Sequence, residues 1–292
     1  MHTIKKYRIS VLLLLILILL LNCKEHENLY IIDTLDLKSN IFKNTRKVRV
    51  LLPPDYYQSK SIHYPVLYLN DGVLVFHAYE IKKVVHDLIN SKTIEPIIVV
   101  GIDNGASTVE SKNPLRDRAM EYLPWADEFE TNPEAKIDNP KGKLYPDFIT
   151  KEVMPLINSK FRTKKGAKNT GLGGSSRGAL ISLYTVLEKP NHFNKLLLES
   201  PSLYVSNQKI LENSSSKKIW PNKVYIGIGT EEGETDEIKK MAVKDAENLK
   251  SIILKNSSNT KLDYLLDKGG EHNFEYFSKR FPKALEFLYG TE

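Results

Sequence analysis

The sequence of 292 residues contains a single cysteine, Cys23. With no second thiol it can build neither an intrachain disulfide nor a thiolate metal cage. Internal repeats and long low-complexity tracts are also missing, and the composition is that of an ordinary globular protein, so global disorder is not expected. Neither sign of charge is in large excess, with 42 basic against 36 acidic residues. The formal net charge is +6, and the charge outside residues 1–22 is +3, too weak and too dispersed to argue for nucleic acid. Long apolar runs are absent but for one, Val11–Leu21, which has 11 residues where a bilayer demands about 20.

That run is the first positive feature. It follows Lys5, Lys6 and Arg8 with no acid among them, and it has no polar face, unlike a buried core helix. This is the layout of a signal peptide over residues 1–22. The run closes on "LLNC", and a leucine-rich stretch ending at one cysteine resembles a bacterial lipoprotein signal, with Asn22 where a small residue is usual. The resemblance implies that Cys23 is acylated and becomes the new N-terminus, giving an exported protein held at a membrane by its lipid. Loss of residues 1–22 lowers the formal charge from +6 to +3. Residues 23–292 are long enough for one large α/β domain with a full core.

Along that domain, "NTRKVRVLLPPDYY" alternates and stops at Pro53-Pro54, a strand running into a turn. "YPVLYLNDG" and "EPIIVVGID" are buried strands around a helical "YEIKKVVHDLIN". "YPDFITKEVMPLINSKF" reads as an amphipathic helix blemished by Pro155. Then come a strand in "NTGLGG", a helix in "RGALISLYTVLE", and strands in "FNKLLLES" and "NKVYIGIGT". A long helix over "DEIKKMAVKDAENLKSIILKN", a strand in "KLDYLLDKGG" and a terminal helix in "FSKRFPKALEFLYG" complete the series. Strands alternating with helices, several apolar on both faces, predict a mostly parallel sheet covered on both sides. Only Asn104–Leu144 breaks the rhythm, with little periodicity, many charges and interspersed Tyr122, Trp125 and Phe129. A loop of that length inside a compact domain is usually functional or disordered. Following a strand, it can lie over the carboxyl edge of the sheet, where such folds bind ligands.

Chemistry enters at "GLGGSSRGALISLY". Gly174-Ser175-Ser176-Arg177-Gly178 fits G-x-S-x-G between an expected strand and an expected helix. A strained turn there presents a serine hydroxyl, and the flanking glycines avoid collisions between strand and helix. The helix start adds free N–H groups and the positive end of its dipole. A serine nucleophile needs a base and an orienting acid, ordinarily in the order Ser, Asp/Glu, His. Of the seven histidines, His2 and His26 flank the leader, while His63, His77, His86 and His192 precede the expected position or sit in loops and helices. His272, in "KGGEHNFEYF" after the last strand, stands where the base belongs. For the acid, "TEEGE" offers Glu231, Glu232 and Glu234, with Asp267 less well placed inside the last strand.

These residues resemble the putative-esterase branch of the α/β-hydrolases, which includes enterochelin-type siderophore esterases, feruloyl and acetyl-xylan esterases, S-formylglutathione hydrolases and mycolyltransferases. The likeness covers nearly all of the mature chain, from "RKVRVLLPPDYY" through "YPVLYLNDGVLVF", "IIVVGIDN", "RAMEYLPW", "GSSRGALISLY", "FNKLLLESPSLY" and "GIGTEEG" to "GGEHNFEYF". It implies an α/β-hydrolase fold with Ser176 as nucleophile, His272 as general base and Glu232 as acid. It further implies the backbone N–H groups of Val73 and Arg177 as an oxyanion hole, and Arg118, Glu121 and Tyr122 as residues near the pocket. Arg177 and Ala179 depart from the family, which commonly has a small or apolar residue and then a second glycine at these positions. Arg177 would either line the pocket and select an anionic acyl group or enter a structural ion pair. The implied activity is hydrolysis of a small-molecule carboxylic ester, such as a siderophore or carbohydrate ester, with no metal and no organic cofactor. Acyl transfer to an alcohol would use the same residues. A non-catalytic binding lipoprotein on the same fold is the reading from another class, and cytosolic S-formylglutathione hydrolysis disagrees with an export signal.

Overall fold

The chain opens with an antiparallel hairpin, β1 (Ile32–Ser39) and β2 (Asn44–Leu51), turned through Lys43 at φ 57°. The computed structural model describes residues 32–108, 111–127 and 137–291. The leader with Cys23, and parts of the segment after Asn104, including Phe129, fall outside the described residues. Next come β3 (Val66–Asn70), α1 (Gly72–Ala78), α2 (Ile81–Asn90) and β4 (Ile98–Ile102). They are followed by α3 (Pro114–Tyr122), α4 (Tyr145–Phe148) and α5 (Met154–Lys160). The second half runs β5 (Thr170–Ser175), α6 (Arg177–Glu188), β6 (Lys195–Glu199), α7 (Lys209–Ser216), β7 (Lys223–Glu231), α8 (Asp236–Asn256), β8 (Lys261–Glu271) and α9 (Phe274–Tyr289).

Among the described residues the strands form an eight-stranded sheet in the order β1-β2-β4-β3-β5-β6-β7-β8. From β4 to β8 all neighbours are parallel, and β2 is antiparallel to β4. This is the mostly parallel sheet expected from the alternating elements, in the α/β-hydrolase arrangement that the resemblance implies. Because side chains alternate across a strand, each apolar run feeds two cores. Tyr68, Val100, Leu198 and Ile226 pack on one face with α4 to α8, while Leu67, Leu69, Val99 and Leu197 pack on the other with α1, α2 and α9.

Several elements were not legible in the sequence. β1 is an edge strand with alternating charges, and Leu37 is its one hydrophobic residue among those described as buried, with Ser39 buried beside it. Inside the segment expected to lack periodic structure, α3 starts at an Asn113 cap whose Oδ1 accepts from the Arg116 N–H at 3.2 Å. Its buried residues are Ala119, Glu121 and Tyr122, a polar inner face that hydrophobic periodicity does not detect. α1 and α7 are also short, one hidden in the turn after β3 and the other in the polar sequence KILENSSS. Pro155 does not end its helix: the π-helical turn Ile149–Val153 precedes it, and Pro155 falls in the first turn of α5. The wider turn accommodates the missing donor and the bulky ring.

The sheet order leaves β3 between β4 and β5, so successive crossovers leave it in opposite directions. The crevice at the carboxyl ends of β3 and β5 is where such a sheet receives ligands. Ser176 lies at its rim.

Candidate active site

Ser176 follows the last residue of β5 and caps α6 with φ 56° and ψ −127°, a conformation an L-residue holds only under constraint. The constraint is visible. Its N–H donates to the Glu199 carbonyl at 2.9 Å, and its carbonyl accepts from Ala179 and Leu180 at 3.1 Å and from Ser202 at 3.3 Å. A Cβ on Gly174 would sit 2.8 Å from the Gly178 carbonyl carbon, and one on Gly178 would sit 2.9 Å from Asp71 Oδ2. Both glycines are therefore required by close approach, as the motif predicts.

His272 stands between the end of β8 and the Asn273 cap of α9, whose Oδ1 accepts from the N–H groups of Glu275 and Tyr276. Its ring packs edge-on to Phe277 at 5.2 Å. Nε2 lies 2.9 Å from Ser176 Oγ, and Nδ1 lies 2.5 Å from Glu232 Oε2. An ionised carboxylate only accepts, so Nδ1 carries the proton and Nε2 presents a lone pair to the serine. The His272 side chain is 36 % exposed and that of Glu232 only 1 %, so the chain of hydrogen bonds runs from solvent into the core.

The choice among the acids follows from a register shift of β7 against β8 between Gly229 and Glu231. Beyond it Glu231 points outward to Lys239 Nζ at 2.6 Å, and Glu234 is exposed. Glu232 turns inward, where its Oε1 accepts from the Gly229 N–H and from Ser200 Oγ, each at 2.6 Å. Burial works to raise its pKa, but hydrogen bonds from His272 and Ser200, with the Gly229 N–H, outweigh it and hold the carboxyl below its ordinary range. Asp267 instead accepts from Arg280 Nη1 at 2.8 Å.

The other expected residues act around Asp71, which sits at φ 60° just before α1. Arg118 clamps the Asp71 carboxylate with two hydrogen bonds of 2.8 Å, Asn104 Nδ2 adds a third at 2.5 Å, and the Asp71 N–H donates to Tyr122 Oη at 3.1 Å. Glu121 is buried against Arg46 in an ion pair. Arg118 and Tyr122 thus brace the turn that carries Val73, while Glu121 ties α3 to Arg46 of β2. The N–H groups of Val73 and Arg177 belong to the first turns of α1 and α6, where intrahelical acceptors are lacking. The Val73 N–H is shared with Asp103: burial raises that carboxyl's pKa, while Arg49 and the Val73 N–H lower it.

Sequence reasoning did not single out Ser200, Ser202, Glu199 or Arg280. Ser202 Oγ lies 3.1 Å from Ser176 Oγ, and Ser200 joins Glu232 to the buried Glu199–Arg280 pair. One signal was present. Arg280 falls on the apolar stripe of α9 with Phe277, Phe281, Ala284 and Leu285, and an arginine there needs a buried partner.

Comparison with known proteins gives the family and the fold. A family model described as "Putative esterase" matches residues 39–288. An uncharacterized Bacillus subtilis protein, YbbA, is 27% identical over 253 residues, covering 84% of this chain and 93% of its own. The ferri-bacillibactin esterase BesA of Bacillus subtilis is 28% identical over 198 residues, covering 62% of this chain and 63% of its own. The crystal structure of a BES protein from Bacillus cereus superposes with a TM-score of 0.69 at 19% identity, covering 89% of this chain and 96% of that one, which establishes the shared fold.

Proposed function

The chain belongs to the putative-esterase family, and on that premise we propose that it hydrolyses carboxylic esters through an acyl-enzyme formed on Ser176. The observation that carries this reading is the unbroken hydrogen-bond chain from Ser176 Oγ through the His272 ring to the buried Glu232. As Ser176 Oγ attacks the ester carbonyl carbon, its proton passes to His272 Nε2. Glu232 holds the imidazole tautomer and stabilises the imidazolium. The carbonyl oxygen gathers negative charge facing the Arg177 and Val73 N–H groups, the latter shared with Asp103. Collapse breaks the bond to the alkoxy oxygen, which leaves as the alcohol with the proton from His272. Water then attacks the acyl-enzyme by the same steps in reverse. The partly open His272 favours water over an alcohol as the acceptor.

A siderophore ester is the preferred substrate class, supported by the ferri-bacillibactin esterase among the relatives. The proposal extends to location: lipid on Cys23 would hold the domain at a membrane outside the cytoplasm, checked by the intact mass of the mature protein. A fluorophosphonate probe should label the protein on Ser176 and fail on Ser176→Ala. Turnover of trilactone, feruloyl and acetyl-sugar esters then ranks the substrates. Labelling of a correctly folded Ser176→Ala protein, or no labelling of the unsubstituted one, ends the acyl-enzyme reading.

A further inference from the structure

Glu199 ends β6 and is buried, and no step of ester hydrolysis through Ser176 uses its side chain. Its Oε2 has no hydrogen-bond partner among the described residues, and the nearby hydroxyls of Tyr79 and Tyr225 are also buried without one. A Cβ on Gly227 would lie 2.7 Å from that oxygen, so glycine leaves the carboxyl its room. Burying a carboxyl with one oxygen left unpartnered is costly and calls for a reason.

The arrangement around Arg280 supplies one. Its Nη2 is 2.6 Å from Glu199 Oε1 and 3.8 Å from Glu232 Oε1, while Nη1 is 2.8 Å from Asp267 Oδ2. Nη2 also donates to Ser200 Oγ at 3.0 Å, and that hydroxyl donates onward to Glu232 Oε1 at 2.6 Å. One guanidinium therefore has three carboxylates within reach and is held on two of them. A direct bond from Arg280 to Glu232 would displace Ser200 and set a permanent cation against the carboxylate that must stabilise imidazolium. Two cations competing for one carboxylate weaken each other's hold on it.

Resting on the esterase reading, we propose that Glu199 is a positioning residue for Glu232: it holds Arg280 one step back, with Ser200 interposed, so that the charge of Glu232 is directed at His272. The groups facing Glu199 are Arg280 from α9, Glu232 beyond β7, Tyr225 on β7, and Tyr79 after α1, with Asp267 of β8 on the far side of Arg280. Burial, with the charge of Glu232 added, pushes the Glu199 carboxyl up to about 7 against the pull of Arg280 and Ser200. Protonating Glu199 releases Arg280, so the acid limb of the activity profile contains two ionisations, those of His272 and Glu199.

The test is Glu199→Gln in the full chain, which keeps size and removes charge. Expected are a fall in kcat of about 10- to 100-fold with KM changed less than about threefold. The acid limb should reduce to one ionisation, and the His272 imidazole should titrate at lower pH by NMR. A purely structural role would lower stability and leave the His272 titration where it was. If Glu199→Gln does not fold, Arg280→Lys keeps the cation but loses the fork, and the His272 titration should move the same way. A folded variant with unaltered kcat, acid limb and His272 titration overturns the proposal. The NMR titration needs no turnover, so it decides the role of Glu199 even if Ser176→Ala retains activity and the esterase reading falls.

Discussion

The parallel strands carry charge at both ends and treat it in opposite ways. At the carboxyl ends of β6 and β7, Glu199 and Glu232 are buried and joined to Arg280, Ser200 and His272 within hydrogen-bond distance. At the amino ends of these two strands and of β8, Lys195, Lys223 and Lys261 occupy one rung of the sheet, side by side, with Lys168 beside them. Like charges facing across strands repel. They are tolerated because Lys168 and Lys261 are exposed, and Lys195 and Lys223 donate to the Lys168 and Phe287 carbonyls at 2.7 and 2.9 Å. Burial, then Lys223, Lys168 and Lys164 against the opposing pull of Glu95, leave the Lys195 ammonium below its ordinary pKa. Where water reaches, charge placement is loose. Where it does not, every charge must have an assigned partner, and removal of one should be felt by the others.

The largest effect expected from breaking the carboxyl-end array is that of Ser176→Ala, a loss of about 10⁴- to 10⁶-fold in kcat. Ser175→Ala should keep most of the activity, and both are read in one ester assay. Next is the acid. Glu232→Gln should lose about 10²- to 10⁴-fold, whereas Glu231→Gln, whose partner is Lys239 in solvent, should stay within about threefold. A reversed ranking would place the acid on the wrong glutamate. Third is the Asp71 clamp: Arg118→Ala leaves a buried carboxylate with Asn104 alone and should cost about 3 kcal/mol in urea unfolding.

A pH scan sharpens the contrast between the two buried acids. Glu232, lowered in the folded state, contributes stability above the ordinary carboxyl range and loses it as pH falls through its folded value. Glu199 has the opposite sign. Its carboxyl rises from 4.5 to about 7, so across that window the folded state binds the extra proton and stability falls as pH rises. Glu199→Gln should flatten the fall in Tm between about pH 5 and 7. The smallest effect belongs to the amino-end rung: Lys195→Gln should leave turnover unchanged and move stability by no more than about 0.5 kcal/mol, upward at low salt.

Much of this was legible in the sequence because it is settled within a few residues. Apolar runs such as Val66–Asn70 and Ile98–Ile102 can only be buried strands, and glycines two residues either side of Ser176 mark a turn where a side chain would collide. The position of His272 after the last strand follows from element order. The inside of α3 was hidden because the residues it buries include a charge, Glu121, whose partner Arg46 is 75 residues away. Glu231 and Glu232 are chemically identical neighbours, and only the register shift of β7 on β8 turns one inward and leaves the other to Lys239. Glu199 and Arg280 lie 81 residues apart, and Ser176 and His272 lie 96 apart. Propensity and steric fit act between chain neighbours, so the sequence by itself determined strands β2 to β8, the serine turn and the class of chemistry. Which charge meets which depends on strand order and on exclusion of water, and those exist only once the sheet has assembled.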